Sequence, residues 1–127
     1  MEVLSIKGTS QYPEVLLDKK KGILNFSGNS LPEDAKGFYE PILAWIDDYI
    51  REPFAGETVI SFKMTYYNTP SSKIIFQMFK KFERAQATGL KVKAVWLAPE
   101  DDPDMRDAGV DYSENVKIPF EFKKYKD

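Results

Sequence analysis

At 127 residues, with 43% hydrophobic and 30% charged side chains, the chain has the size and composition of one globular domain, long enough to bury a core without staples. A net charge of −2 leaves no concentrated basic face for nucleic acid, and the chain contains neither cysteine nor histidine. Those two absences exclude disulfide frameworks, thiolate nucleophiles, Ser-His-Asp triads and imidazole bases, and deprive most zinc and transition-metal sites of their preferred ligands.

Residues 1–10 lack the apolar run of a signal peptide, and no segment approaches the roughly 20 apolar residues of a membrane span. The expectation is therefore a cytoplasmic protein without membrane insertion. Residues 3–6 read as a short edge strand. Residues 15–18 and 22–27 flank a Lys-rich turn, which is a hairpin pattern. Lys19, Lys20 and Lys21 in that turn read first as solvated charge, and as a phosphate-contacting patch a distant second. Residues 28–30 break the strand pattern, and Ser30, Pro32 and Glu33 suit a helix start. From Ala35, the spacing of Phe38, Tyr39, Ile42, Leu43, Ile46, Tyr49 and Ile50 predicts a helix with one buried stripe. Pro41 predicts a short first turn or a kink, and Pro53 closes the segment.

Residues 57–67 alternate, with Ile60, Phe62, Met64 and Tyr66 predicted to point one way and Ser61, Lys63 and Thr65 the other. Helical spacing returns at Ile75, Met78, Phe79 and Phe82 and ends near Gly89. Residues 91–98 predict a strand with Val92, Ala94 and Trp96 on one face. An acidic stretch follows, with a short helix expected within residues 104–115. Residues 116–122 alternate again, placing Val116, Ile118, Phe120 and Phe122 together, and the Lys-rich tail is expected to fray. Strands alternating with helices predict one α/β domain over residues 1–127. It would be a mixed sheet with crossover helices, and the polar face of the 57–67 strand puts those helices mainly on one face.

The junction at residues 68–73 carries the most chemistry. Thr69 fits an N-cap, with Pro70 at the first helical position. Unpaired N–H groups and the helix dipole favour an anion there. A phosphate on Thr69 would bring about −1.5 to −2 charges, with Ser71, Ser72 and Lys73 close by to hold it. On spacing alone, capping explains the stretch and stands ahead of a switch site.

The string Tyr66-Tyr67-Asn68-Thr69-Pro70-Ser71-Ser72-Lys73 resembles the signature of the SiaC family of regulatory phosphoproteins, an aromatic-Asn-Thr-Ser-Ser-Ser-Lys-type motif that contains the phosphorylated threonine. Gly8, Thr9, Pro13, Glu14 and Val15 resemble the family's opening. Gly28, Ser30, Pro32, Glu33, Pro41, Trp45 and Tyr49 resemble its first-helix region. Asp101, Asp102, Asp104 and Met105 resemble its acidic segment, and Pro119, Phe120, Glu121 and Phe122 its last strand. The resemblance runs in order over nearly the whole chain.

It implies a STAS-like fold, of the kind seen in anti-sigma-factor antagonists, with no catalytic role and no cofactor. It also implies a Ser/Thr protein kinase of the partner-switch type acting on Thr69 and a PP2C-type phosphatase reversing it. The unphosphorylated form would bind and activate a diguanylate cyclase. Partner contacts would fall on Asn68, Pro70, Ser71, Ser72 and Lys73, and on Asp101, Asp102 and Asp104. Pro70 departs from the motif. It removes one N–H from the helix start and stiffens the loop a kinase must grip.

Other sites are weaker. Glu100, Asp101, Asp102, Asp104 and Asp107 read first as a solvated helix start around Pro103, second as a docking surface and third as a metal site, since the EF-hand glycine and terminal glutamate are missing. No carboxylate pair is marked for glycoside chemistry, and no Gly-rich phosphate loop is present. Trp45, Tyr49, Phe79, Phe82 and Trp96 read as core. The alternative function is a STAS-like module binding a small molecule or nucleotide, which would need an apolar pocket with a few convergent polar groups.

Overall fold

Alternation of apolar residues sets the first three strands, β1 (Leu4–Ile6), β2 (Glu14–Asp18) and β3 (Ile23–Ser30). Val15, Leu17, Leu24 and Phe26 turn inward and are buried. Gly22, at φ 66°, makes the β2–β3 turn, where its N–H donates to the Lys19 carbonyl at 3.2 Å. The protein is seen here as a computed structural model that describes residues 3–126. Met1, Glu2 and Asp127, the ends of the expected 1–127 unit, lie outside the described residues.

Three more strands, β4 (Thr58–Tyr67), β5 (Val92–Pro99) and β6 (Phe120–Tyr125), complete a six-stranded sheet among the described residues. The strands follow one another in chain order. β1 to β3 pair antiparallel, and β3 to β6 pair parallel. Each parallel step needs a crossover, supplied by α1 (Ala35–Arg51), α2 (Thr69–Ala87) and α3 (Pro103–Asn115). Right-handed crossovers that all advance in the same direction put their helices on the same face of the sheet. The mixed α/β sheet with helices on one face is thus the architecture the alternation predicted.

Beneath the helices lies a continuous aromatic core. Phe62 stacks on Phe26 with ring centroids 4.8 Å apart and meets Phe79 at 5.3 Å and Trp96 at 5.6 Å. Burying rings of this size supplies a large share of what the fold gains from leaving water. The opposite face of the sheet carries Asn25, Ser61, Lys63, Lys93 and Glu121, all half-buried or exposed.

Several local expectations are corrected. β3 does not break at residues 28–30; it runs on to Ser30, which is fully buried. Ser30 therefore ends a strand, and the N-cap of α1 is Asp34, whose carboxylate accepts the Gly37 N–H at 3.0 Å. Pro41 lies inside α1 without dividing it. Both Pro41 and Gly37, whose carbonyl loses its helical partner to the proline, are exposed, so water can take that carbonyl. β6 starts at Phe120, not Val116, which caps the end of α3. The Lys-rich tail is part of the sheet, because Lys123, Lys124 and Tyr125 pair with Leu97, Ala98 and Pro99.

Tyr66 is also corrected. The β3–β4 register shifts between Gly28 and Asn29: Gly28 faces Met64, but Asn29 faces Tyr66. One extra residue, Thr65, is therefore accommodated in β4 as a bulge, and a single insertion reverses which side chains face the core. Met64 is buried, Tyr66 points to solvent, and Tyr67 packs edge-on against Trp96 at 6.3 Å.

Candidate functional site

β3, β4 and β5 run parallel, so the turns that leave them for α1, α2 and α3 gather at one edge of the sheet. The carboxyl edge of parallel strands is where α/β folds place functional loops. Residues 68–73 and 101–104 both lie on it.

The N-cap of α2 is Asn68, which corrects the expectation for Thr69. Asn68 Oδ1 accepts the Ser71 N–H at 3.0 Å, and its carbonyl accepts the Ser72 N–H at 3.0 Å. Its own N–H donates to the Ser30 carbonyl at 3.0 Å, extending the β3–β4 pairing by one residue. Thr69 therefore stands at N1 and Pro70 at N2. Thr69 and Pro70 are exposed, and among the described residues the Thr69 hydroxyl takes no hydrogen-bond partner. Lys73, also exposed, sits one turn along on the same side of α2.

Ser71 is fully buried, so its expected contact with a partner is not available at this surface. Its hydroxyl lies 2.8 Å from that of Ser30 and donates to the Ser30 carbonyl at 3.2 Å. The Ser30 hydroxyl in turn lies 2.6 Å from that of Tyr39. Burial pushes the Tyr39 hydroxyl above its ordinary pKa, and the two serines pull part of that back. Polar groups this deep are tolerated because they satisfy one another. Ser71 thus fastens the first turn of α2 to β3 and α1, and Thr69 projects from a rigid base.

Ser72 is half-buried. Its hydroxyl donates to the Thr69 carbonyl at 2.8 Å, and its carbonyl receives the Tyr112 hydroxyl of α3 at 2.9 Å. Tyr67 neighbours Tyr112 and acts on its ionisation. Burial raises both phenols, followed for Tyr112 by the charge of Tyr67. The start of α2 and α3 are therefore joined through the Tyr112 hydroxyl.

In the acidic segment, Asp102 is the N-cap of α3, its carboxylate accepting the Met105 N–H at 3.0 Å. Asp101 and Asp104 are exposed. Among the described residues no three acidic side chains converge as a cation site would require. A cavity of about 500 Å³ opens beside this segment, between α3 and β6, floored by Trp96, Ala98 and Phe122 and rimmed by charges of both signs, Arg106, Lys123 and Lys124 with Glu100 and Asp102.

Two features were not read from the sequence. The Ser30–Ser71–Tyr39 cluster joins residues up to 41 apart, and no local signal announces it. The outward turn of Tyr66 had a signal in Gly28, because an isolated glycine inside a strand marks a bulge.

The profile of the SiaC family of regulatory phosphoproteins matches residues 6–125. The chain belongs to that family. It is 22% identical over 120 residues to an uncharacterized protein of Pseudomonas aeruginosa, covering 94% of each. The fold is shared with SiaC of Pseudomonas aeruginosa at a TM-score of 0.89, with 22% identity over 98% of this chain and 100% of that one. It is also shared, at a TM-score of 0.90, with a chain in the crystal structure of the Pseudomonas aeruginosa diguanylate cyclase SiaD in complex with its activator SiaC. That match has 21% identity and covers 96% of this chain and 99% of that one. Among the described residues no helix is long and apolar enough to cross a membrane.

Proposed function

We propose that this protein is a cytoplasmic, non-catalytic switch whose unphosphorylated form binds and activates a diguanylate cyclase. Phosphorylation of Thr69 by a partner-switch Ser/Thr kinase would turn that binding off, and a PP2C-type phosphatase would restore it. The observation that carries this reading is the exposed, unpartnered Thr69 hydroxyl on a rigid helix start. Membership of a family of regulatory phosphoproteins supports it, as does a shared fold with a cyclase activator.

The physical logic is exclusion. A dianion trapped in a dehydrated interface without a cation costs several kcal/mol, enough to remove a partner. Asp101 and Asp104, with Pro70 and Lys73, form the exposed part of the proposed contact surface, while the half-buried Asn68 and Asp102 and the serines Ser71 and Ser72 support it. The test is peptide mass spectrometry of the protein from its own host, paired with cyclase assays on wild type and Thr69→Glu. Phosphate on Thr69, with activation by wild type and none by Thr69→Glu, is the expected result. Equal activation by both would sink the switch.

A second reading rests on the α3–β6 cavity, whose apolar floor and rim of mixed charge suit a small molecule with apolar and polar parts, such as a nucleotide. A rise in melting temperature with added nucleotide favours it; no rise removes it.

A further inference from the structure

Three large apolar side chains are exposed among the described residues: Val3, Tyr12 and Tyr66. Two of them, Tyr12 at 38% and Tyr66 at 55% exposure, lie at the same carboxyl edge of the sheet as Thr69. Neither position is incidental to the backbone. Tyr66 faces solvent because the bulge at Thr65 reverses the alternation of β4 three residues before Asn68 ends the strand pairing. Without that bulge its ring would fall on the core side.

Tyr12 sits in the β1–β2 loop, which closes on itself. The Thr9 N–H donates to the Tyr12 carbonyl and the Tyr12 N–H to the Thr9 hydroxyl, each at 2.9 Å. Its ring stacks on Phe38 of α1 with centroids 5.1 Å apart. The same loop is tied to the end of β3, with the Leu31 N–H donating to the Gln11 carbonyl at 2.7 Å and Asn29 Nδ2 to the Ser10 carbonyl at 3.2 Å. Asn29 is the register partner of Tyr66, and Ser30 receives the Asn68 N–H. An unbroken run of hydrogen-bonded backbone therefore connects Tyr12, Tyr66 and Thr69.

We infer that Tyr12 and Tyr66 are the anchors of the docking surface for the diguanylate cyclase, and that Thr69 is the gate on that surface. This rests on the function proposed above. Tyrosines held by ordered backbone supply large contact area at low entropic cost, and they are among the commonest interface hot spots. The chemistry of the partner follows. It offers apolar recesses for two phenol rings with acceptors for their hydroxyls, and no cation opposite Thr69. A threonine methyl and hydroxyl fit such a surface; a phosphate does not.

The test uses a purified diguanylate cyclase of the same organism that the wild-type protein activates. Affinity and cyclase rate are measured for wild type, Tyr66→Ala, Tyr66→Phe and Tyr12→Ala, each with a urea unfolding curve. Tyr66 makes no ring contact among the described residues, so Tyr66→Ala is expected to unfold at the wild-type midpoint yet bind about ten-fold or more weakly. Tyr66→Phe, which keeps the ring, is expected to hold within about three-fold of wild type. If Tyr12→Ala disturbs the loop, Tyr66→Ala decides alone. Wild-type affinity in Tyr66→Ala overturns the anchors while leaving the switch intact. Failure of the wild-type protein to activate any cyclase overturns the proposed function, and the anchors with it.

Discussion

Asn68 and Thr69 stand side by side but only Asn68 caps the helix, and alanine at each shows the difference. Asn68→Ala removes the acceptor of the Ser71 N–H and is expected to cost about 1 kcal/mol, the usual loss for a deleted N-cap. Thr69→Ala deletes a hydroxyl that takes no partner among the described residues, and should fall within about 0.5 kcal/mol of wild type. Urea titrations of both variants check this, and an equal loss at the two positions would reverse the cap assignment. The sequence could not make the choice. Asn and Thr are both good caps, and proline is tolerated just inside a helix start. What decides is the Asn68 N–H to Ser30 carbonyl bond, a contact across 38 residues that extends the strand pairing through residue 68.

At the scale of the element, the start of α2 has little left to offer a phosphate. Ser71 and Ser72 donate their N–H groups to Asn68, Pro70 has none, and only the Thr69 N–H remains among the described residues. Of the groups expected to hold a phosphate on Thr69, Lys73, four residues on, would then have to supply most of the pairing. Phosphorus NMR titration of Thr69-phosphorylated protein would show it. Lys73→Gln should raise the phosphate pKa, ordinarily near 6, by about 0.2–0.4 unit, the size of an exposed i,i+4 ion pair. Pro70→Ser, which restores an N–H, should lower it. No movement in either variant would mean the phosphate is held elsewhere.

Packing of α3 makes a separate prediction. A methyl group on Gly109 would be driven into the Trp96 indole, whose Nε1–H already donates to the Met105 carbonyl at 2.8 Å. Gly109→Ala is expected to cost about 1–3 kcal/mol by overpacking, read as a lower urea midpoint. Periodicity made the helices and strands legible because it is local. The bulge in β4 escaped the alternation, because a pattern counted along one strand cannot see a register shift that exists only between two; Gly28 in the neighbouring strand was its one local signal.

The whole molecule was legible as an order of elements, since parallel crossovers advancing along the chain leave few ways to arrange a sheet. The polar clusters that tie its layers together were not, and they set its response to pH. With no histidine, no imidazole titrates between acid and base. On the acid side, Glu83 is held below its ordinary range by its hydrogen bond from Lys80 and then by the Lys117 N–H. Its contribution is complete above the unfolded value and fades as pH falls through the folded one. It is half-buried at the protein surface and still reached by solvent, so the effect should be small.

The alkaline side should be steeper. Tyr39, Tyr67 and Tyr112 all have hydroxyls raised above 10.0, chiefly by burial. A raised group contributes fully below its unfolded value and loses that contribution as pH climbs toward the folded one, because the unfolded chain ionises first. Stability should therefore hold through neutral pH and decline above about pH 10. Urea midpoints measured from pH 7 to beyond pH 10, with tyrosinate absorbance alongside, would show the two changes together. Tyr39→Phe with Tyr112→Phe removes two of the three raised groups. That variant should start less stable, having lost the bonds to Ser30 and Ser72, but should fall less steeply. A slope as steep as wild type would place the alkaline limit outside Tyr39 and Tyr112.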